Sequence, residues 1–323
     1  MKGRIAAVLA ALACCGAASL AHAQAFPVKP VRMFVGYPPG GGVDTAARLV
    51  STALNEYWNV PVIVENRPGG TGSVATEAVA RSPKDGYTAM LCQIASHAIT
   101  PARNKLPYDH IRDFSFIGMI GILPNVFVAH PSFPAKNLRE FIAYARSHPG
   151  KINYGSSGVG ASPHMSIELF KMETRINIVH VPFKGAAQAL PAVMGGEIEA
   201  YTGNLVGGAL AAIKSNRVRA LGVTSATRNK QVPDVPTFAE GGVPGFDVSS
   251  WYGICTPGPL PKAVHEKFTA DLLQLLEKPA LRVKLEEQGI DVTPGTPEQF
   301  VAHVRKETER WTKVVKAAGL GPE

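Results

Sequence analysis

The groups in this chain best suited to chemistry are backbone amides. Residues 36–44 read G-Y-P-P-G-G-G-V-D, with an apolar run before them and a helix-like run at 43–58 after them. A strand, a glycine turn and a helix start leave the first N–H groups of the helix without internal partners, and the helix dipole favours negative charge there. The device recurs at 66–73 (N-R-P-G-G-T-G-S), at 155–162 (G-S-S-G-V-G-A-S) and at 182–187 (P-F-K-G-A-A). Each stretch opens a helix-like run, is rich in glycine or small residues, and is poor in charge. Taken singly, each is an ordinary turn. Four together suit capture of a carboxylate or similar small organic anion by main-chain N–H groups, and do not suit bond breaking.

Side-chain catalysis finds little support. Gly155-Ser156-Ser157-Gly158 falls one residue short of the G-x-S-x-G elbow of serine hydrolases, and no Asp or His partner can be placed for it. No stretch has the G-x-x-x-x-G-K-[ST] phosphate loop. Gly158-Val159-Gly160 lacks the third glycine of a dinucleotide fingerprint. The nine histidines contain no H-x-x-x-H and the four cysteines no C-x-x-C, so neither a metal nor a cofactor is expected. His164, beside the third turn, and His97, after a strand, suit ligand contact no better than packing or capping. Lys184 is a candidate carboxylate partner.

The elements that must position these turns alternate. Apolar runs near 31–35, 61–64, 87–94, 152–154, 176–181, 198–202 and 217–224 read as strands, with helical periodicity between them, as at Ala46, Leu49, Val50, Ala53, Leu54 and Tyr57. Strands alternating with helices imply parallel βαβ units and an α/β architecture, whose ligands bind at the carboxyl ends of the strands. The apolar stretch 114–129, broken at Pro124, reads as two extended segments joined by a bend, and 248–256 as a second extended crossing. The chain is thus expected to form two lobes: residues 24–123 with 252–323, and residues 124–251. Asn137-Leu138-Arg139-Glu140 and Thr296-Pro297-Glu298-Gln299 are helix-start patterns, and the C-terminal helices read as cover for the sheet.

Residues 1–23 have the form of a secretory signal. Lys2 and Arg4 precede an alanine-rich apolar stretch, and Ala21-His22-Ala23 is a cleavage pattern. Lipoprotein anchoring through Cys14 or Cys15 fits poorly, since neither has leucine three residues back with a small residue just before it. The whole sequence has 33 basic and 25 acidic residues, and loss of Lys2 and Arg4 lowers the net charge from +8 to +6. The charges are scattered, which argues against nucleic acid and is compatible with an anionic ligand. Cys92 and Cys255, both in apolar runs, read as buried free thiols.

At the glycine-rich turns the chain resembles the tripartite tricarboxylate transporter substrate-binding proteins, the TctC or Bug family of periplasmic solute receptors. The matching stretches are Y-P-P-G-G-G-V-D at 37–44, V-E-N-R-P-G-G-T-G at 64–72, D-G-Y-T at 85–88 and L-P-Y-D at 106–109. They continue as N-Y-G-S-S-G-V-G at 153–160, H-V-P-F-K-G-A-A at 180–187, L-G-V-T-S at 221–225, P-D-V-P-T at 233–237 and S-S-W-Y-G at 249–253. They span essentially the whole mature chain, in order. The resemblance implies a type II periplasmic-binding-protein fold closing on a small organic acid and delivering it to membrane-embedded transporter subunits, with no turnover. It also implies a monomer.

Carried onto this sequence, the resemblance implies ligand contacts from Tyr37, Gly41, Gly42 and Asp44 in one lobe. In the other it implies Ser156, Ser157, Gly158, Ser162, Lys184, Gly185 and Ala186, with His164 and Asn204 as further candidates. Asp44 would repel a carboxylate as a direct contact, so a role in holding the loop suits it better. The family usually shows an aspartate before Asn-Leu where this chain has Gly203 before Asn204-Leu205. That departure disfavours an amino-acid ligand, whose amine such an aspartate could meet. An exported hydrolase using the same cleft, an acidic amino-acid receptor and a sensing role stay open at this point.

Overall fold

The computed structural model describes residues 26–321, so the signal-peptide expectation for residues 1–23 lies outside the described residues. The first half of the chain order runs β1 (Val31–Val35), α1 (Gly42–Trp58), β2 (Val62–Asn66), α2 (Ser73–Ala80), β3 (Thr88–Gln93), a π-helical turn (Ala95–Ile99), α3 (Thr100–Arg103), β4 (Phe114–Ala129) and α4 (Leu138–Ser147). It continues with β5 (Asn153–Ser156), α5 (Ser162–Thr174), β6 (Val179–Pro182), α6 (Ala186–Met194), β7 (Ala200–Asn204), α7 (Gly207–Lys214) and β8 (Arg219–Val223). The last part is β9 (Ser249–Pro257), α8 (Lys262–Glu277), α9 (Pro279–Glu287), β10 (Asp291–Gly295) and α10 (Pro297–Ala318).

The strands join in the order β2-β1-β3-β9-β4-β7-β5-β6, with β8 and β10 also pairing β4. β1 runs parallel to β2 and β3, and β5 runs parallel to β6 and β7. The helices between parallel strands place their connecting turns at the carboxyl ends of β1, β5, β6 and β7. The expected βαβ alternation is therefore present in both halves.

β4 departs from the expectation of two segments joined by a bend. It is one strand of 16 residues, and it accommodates its length by register shifts between Phe116 and Gly118 and between Met119 and Gly121. What changes at Pro124 is the partner. Residues 114–124 pair β9, while Asn125–Ala129 pair β7 and β8. Proline has no N–H for a ladder, but the Pro124 carbonyl accepts from the Leu205 N–H at 3.0 Å. β10 has no counterpart in the sequence expectation. The Thr296 capping box is formed, with its hydroxyl accepting from Gln299 N–H and the Gln299 side chain accepting from Thr296 N–H.

One buried group lies around the first half, with Val31, Met33, Val50, Leu54, Phe268 and Leu272. A second lies around the other half, with Val126, Val128, Ala189, Val193 and Val223. Val206 follows β7 in the chain but packs with the first group, so the two halves are in contact across the space between them.

Candidate functional site

A cavity of about 370 Å³ lies between the halves. Tyr37, Pro38 and Gly40 to Val43 form one wall, with Gln93 at the end of β3. Ser157, Ala161, Ser162 and Pro163 form a second wall, and Gly185, Ala186 and Ala187 a third. Tyr201, Asn204, Val206, Gly208 and Ala209 complete the floor. Leu190, Pro191, Met194, Ala211 and Ala212 make an apolar flank that leads out to Ser215 and Arg217.

Four helices, α1, α5, α6 and α7, begin at this cavity. Their N-caps are Gly41, Ala161, Gly185 and Val206, and no side chain caps any of them. Elsewhere Asn137 caps α4 and Thr296 caps α10. Because α8 and α9 also start uncapped, a missing cap does not by itself mark a site. What distinguishes these four is that they open on one cavity from both halves. Each such terminus favours an anion by about 0.3–1 kcal/mol when exposed, and up to about 2 kcal/mol when partly buried. Among the described residues the cavity wall contains no Asp or Glu, and Arg217 is its one charged residue.

Of the residues expected at a site, Tyr37, Gly41, Gly42, Ser157, Ser162, Gly185, Ala186 and Asn204 line this cavity. Asp44, Ser156, Gly158, His164 and Lys184 do not. Asp44 lies beneath the first loop, 3% exposed. Its carboxylate accepts from Gly40 N–H at 3.0 Å, Arg48 Nε at 2.9 Å and Asn66 Nδ2 at 2.8 Å. Burial works against its charge, but the bonds from Arg48, Gly40 and Asn66 outweigh that and hold it below the ordinary carboxylate range. Asn66 also donates to the Tyr37 carbonyl at 3.0 Å. Asp44→Asn should weaken ligand affinity about tenfold through the loop, since a bond to a charged group contributes about 1.5–3 kcal/mol, with the circular dichroism spectrum unchanged. Tighter binding in calorimetry would show that the charge merely repels the ligand.

The second glycine-rich stretch, 66–73, supports the first and does not reach the cavity. A Cβ on Gly36 would lie 2.6 Å from Gly72 Cα, so the two backbones touch where only glycine fits. Tyr37 Oη donates to the Thr71 carbonyl at 3.4 Å and accepts from Gln93 Nε2 at 3.3 Å. Thr71 Oγ1 donates to the Val159 carbonyl at 2.7 Å and so links the two halves.

Under the third loop, Ser156 Oγ accepts from Gly158 N–H at 3.2 Å and lies 2.6 Å from His180 Nε2. His164 Nδ1 accepts from Gly160 N–H at 3.2 Å, so its ring proton is on Nε2, 3.8 Å from Glu168 Oε1. The rings of His164 and His180 lie 4.0 Å apart. Glu168 also accepts from Tyr154 Oη and Lys171 Nζ, each at 2.8 Å. Both histidines are pushed down to about 3, His164 by burial and then by Arg103 and Lys171, His180 by burial and then by His164 and Lys171 against a partial offset from Glu168. They are neutral supports for the loop. Ser156 is fully buried, does not line the cavity and has its hydroxyl committed to Gly158 and His180. Lys184 is exposed.

Cys92, His97 and Cys255, none of which lines the cavity, come together with one ligand atom of each within 4.8 Å of the others. The sequence shows no such motif, because pairing of β3 with β9 makes it. A soft cation is what these donors would suit. Burial, with a hydrogen bond donated to Cys92, pushes the Cys255 thiol up, while burial and then His110 push His97 down to about 3. His97 packs edge-on against Phe114 and Phe116.

The three histidines give a pH dependence. Each is neutral when folded down to about 3 but takes a proton near 6.5 when unfolded. Between those values the unfolded chain binds more protons, so stability falls as pH drops below 6.5, by up to about 1.4 kcal/mol per pH unit for each histidine. Urea midpoints should fall from pH 7.5 to pH 5. A constant or rising midpoint would show that these rings titrate in the folded protein.

The sequence expectation passed over Asn125, Gln93 and Tyr201. Asn125 Nδ2 donates to Ser162 Oγ at 3.0 Å and Ser166 Oγ at 2.6 Å, and its Oδ1 accepts from Asn204 Nδ2 at 2.8 Å. It thus fixes two cavity residues. Its signal was legible, since it is the lone amide in the apolar run 114–129.

Comparison with known proteins decides the family. The model of the tripartite tricarboxylate transporter family receptor matches residues 46–320. The chain belongs to this receptor family. A Pseudomonas relative encoded between tcbD and tcbE is 33% identical to it over 95% of this chain and 93% of the relative. A Rhodopseudomonas palustris protein solved with adipate superposes with a TM-score of 0.87 at 32% identity, covering 92% of this chain and all of the other. MatC of the same organism, solved with malate, gives 0.83 at 30% identity, covering 90% and 100%. The receptor thus has the two-lobe periplasmic-binding-protein fold, and its family is one of periplasmic solute receptors. Among its described residues no helix is long and apolar enough to cross a membrane.

Proposed function

We propose that this receptor binds a small organic acid without an ammonium group, closes its lobes over it and delivers it to a membrane-embedded transporter without turnover. The observation that carries this is the convergence of four uncapped helix N-termini on a cavity with no acidic side chain. A carboxylate there meets free N–H groups and finds no acidic side chain in the wall to repel it. The flank of Leu190, Pro191, Met194 and Ala212 suits the apolar body of an aliphatic diacid or an aromatic acid. The adipate and malate bound by its structural relatives support the same class. An ammonium would be buried without a counter-charge, which is costly.

In this reading, residues 1–23 direct export to the periplasm, the mature chain is a monomer, and closure flexes the chain at the crossings near 124 and 250. The proposed lobe limits are those expected from the sequence. Catalysis is disfavoured by the placement of Ser156, buried beneath the third loop.

The test is a thermal-shift titration with succinate, malate, adipate, benzoate and aspartate. A bound acid raises the midpoint with concentration, equivalent to about 2.7 kcal/mol at 100 times Kd. The reading requires such a rise for at least one of the four acids without an amine. No response from any of them, or release of product from an ester or amide, would remove it.

A further inference from the structure

Position 203 has no room for a side chain. A Cβ on Gly203 would lie 2.0 Å from Tyr201 Oη and 2.5 Å from Tyr201 Cζ. The two residues are two apart on β7, so their side-chain directions share one face of the strand. The tyrosine therefore lies across the glycine and occupies its side-chain space.

Tyr201 is fully buried and lines the cavity. Its hydroxyl is closed to solvent and has no hydrogen-bond partner among the described residues. Among the described residues, seven others also bury an unpartnered side-chain polar atom, and none of those seven lines the cavity. The neighbouring polar residues of the wall are committed: Tyr37 to Gln93 and Thr71, and Asn204 to Asn125. Burial raises the Tyr201 hydroxyl above its ordinary range, so it keeps its proton and remains a donor. A buried donor without an acceptor is unfavourable and is relieved by any ligand oxygen that reaches it.

We propose that the Tyr201 hydroxyl, seated over Gly203, is a specificity-determining contact that donates to an oxygen of the bound acid. That oxygen belongs to a carboxylate, carbonyl or hydroxyl group. The same arrangement excludes amines. The space over Gly203 is filled by a neutral phenol, and the cavity wall has no carboxylate to receive an ammonium. The contact rests on the organic-acid reading of the cavity and adds to it which side chain selects the ligand.

The experiment is calorimetry with succinate, malate, adipate, benzoate and aspartate on the mature protein and on Tyr201→Phe. The variant loses one oxygen and keeps the ring over Gly203, so its thermal midpoint in the absence of acid should not fall. The acid that the wild type binds most tightly should bind Tyr201→Phe about tenfold or more weakly. Aspartate should not bind the wild type. Affinity within twofold of wild type overturns the contact alone, and tight aspartate binding overturns the exclusion of amines. A wild type that binds none of the acids overturns the organic-acid reading and this contact with it.

Discussion

Gly42→Ala should weaken acid binding by about 10- to 100-fold while leaving the unliganded protein folded. Gly42 is the first residue of α1 and part of the cavity wall. A Cβ there would lie 2.0 Å from Val206 Cγ2 and 3.2 Å from Tyr252 Oη. Val206 comes from the turn before α7 and inserts into the hydrophobic group of the first half. The added methyl therefore acts on the approach of the two halves and spares the interior of each. Overpacking of this kind costs about 1–3 kcal/mol, and each 1.4 kcal/mol is tenfold in affinity. Val206→Ala in the same chain removes the opposing methyl and should restore much of the loss. Calorimetry on the two single variants and the double variant measures that coupling. Additive losses would show that the Gly42–Val206 contact does not govern binding.

Asn125→Leu should cost about 2–4 kcal/mol of stability and weaken binding as well. The substitution keeps the branched shape but removes three hydrogen bonds, to Ser162, Ser166 and Asn204. Asn125 is fully buried, so partners left behind pay the desolvation of unsatisfied groups, about 1–3 kcal/mol each before relaxation. The backbone bonds between Asn125 and Thr224 do not depend on the side chain and should survive. Ser162 and Asn204 both line the cavity, so the affinity loss should accompany the stability loss. Denaturant unfolding and calorimetry on the same variant check both. A stability loss with unchanged affinity would make Asn125 a core residue only.

The two predictions draw on different kinds of legibility. A lone asparagine in an apolar strand can be noticed in the sequence. That Gly42 faces Val206, 164 positions away in the chain, cannot, because a glycine advertises only the absence of a side chain. The same limit explains the second glycine-rich stretch. Its composition matches the first and third, yet it packs behind the first through the Gly36–Gly72 contact. Conversely the turn at 204–209, with fewer glycines, opens the fourth helix at the cavity.

Sequence alone determined what local chemistry determines. Periodicity and turn residues set the βαβ alternation, and the caps at Asn137 and Thr296 form within three residues of their partners. The motifs at the turns carried the family. Tertiary structure decided which of those turns share a cavity. It also took Asp44, His164 and Lys184 away from the cavity wall and set Tyr201 over Gly203. The physical reason is that this site is built largely from backbone N–H groups, which every residue but proline supplies. Such a site leaves few side-chain marks, and the contacts that select among the turns join residues far apart in the chain.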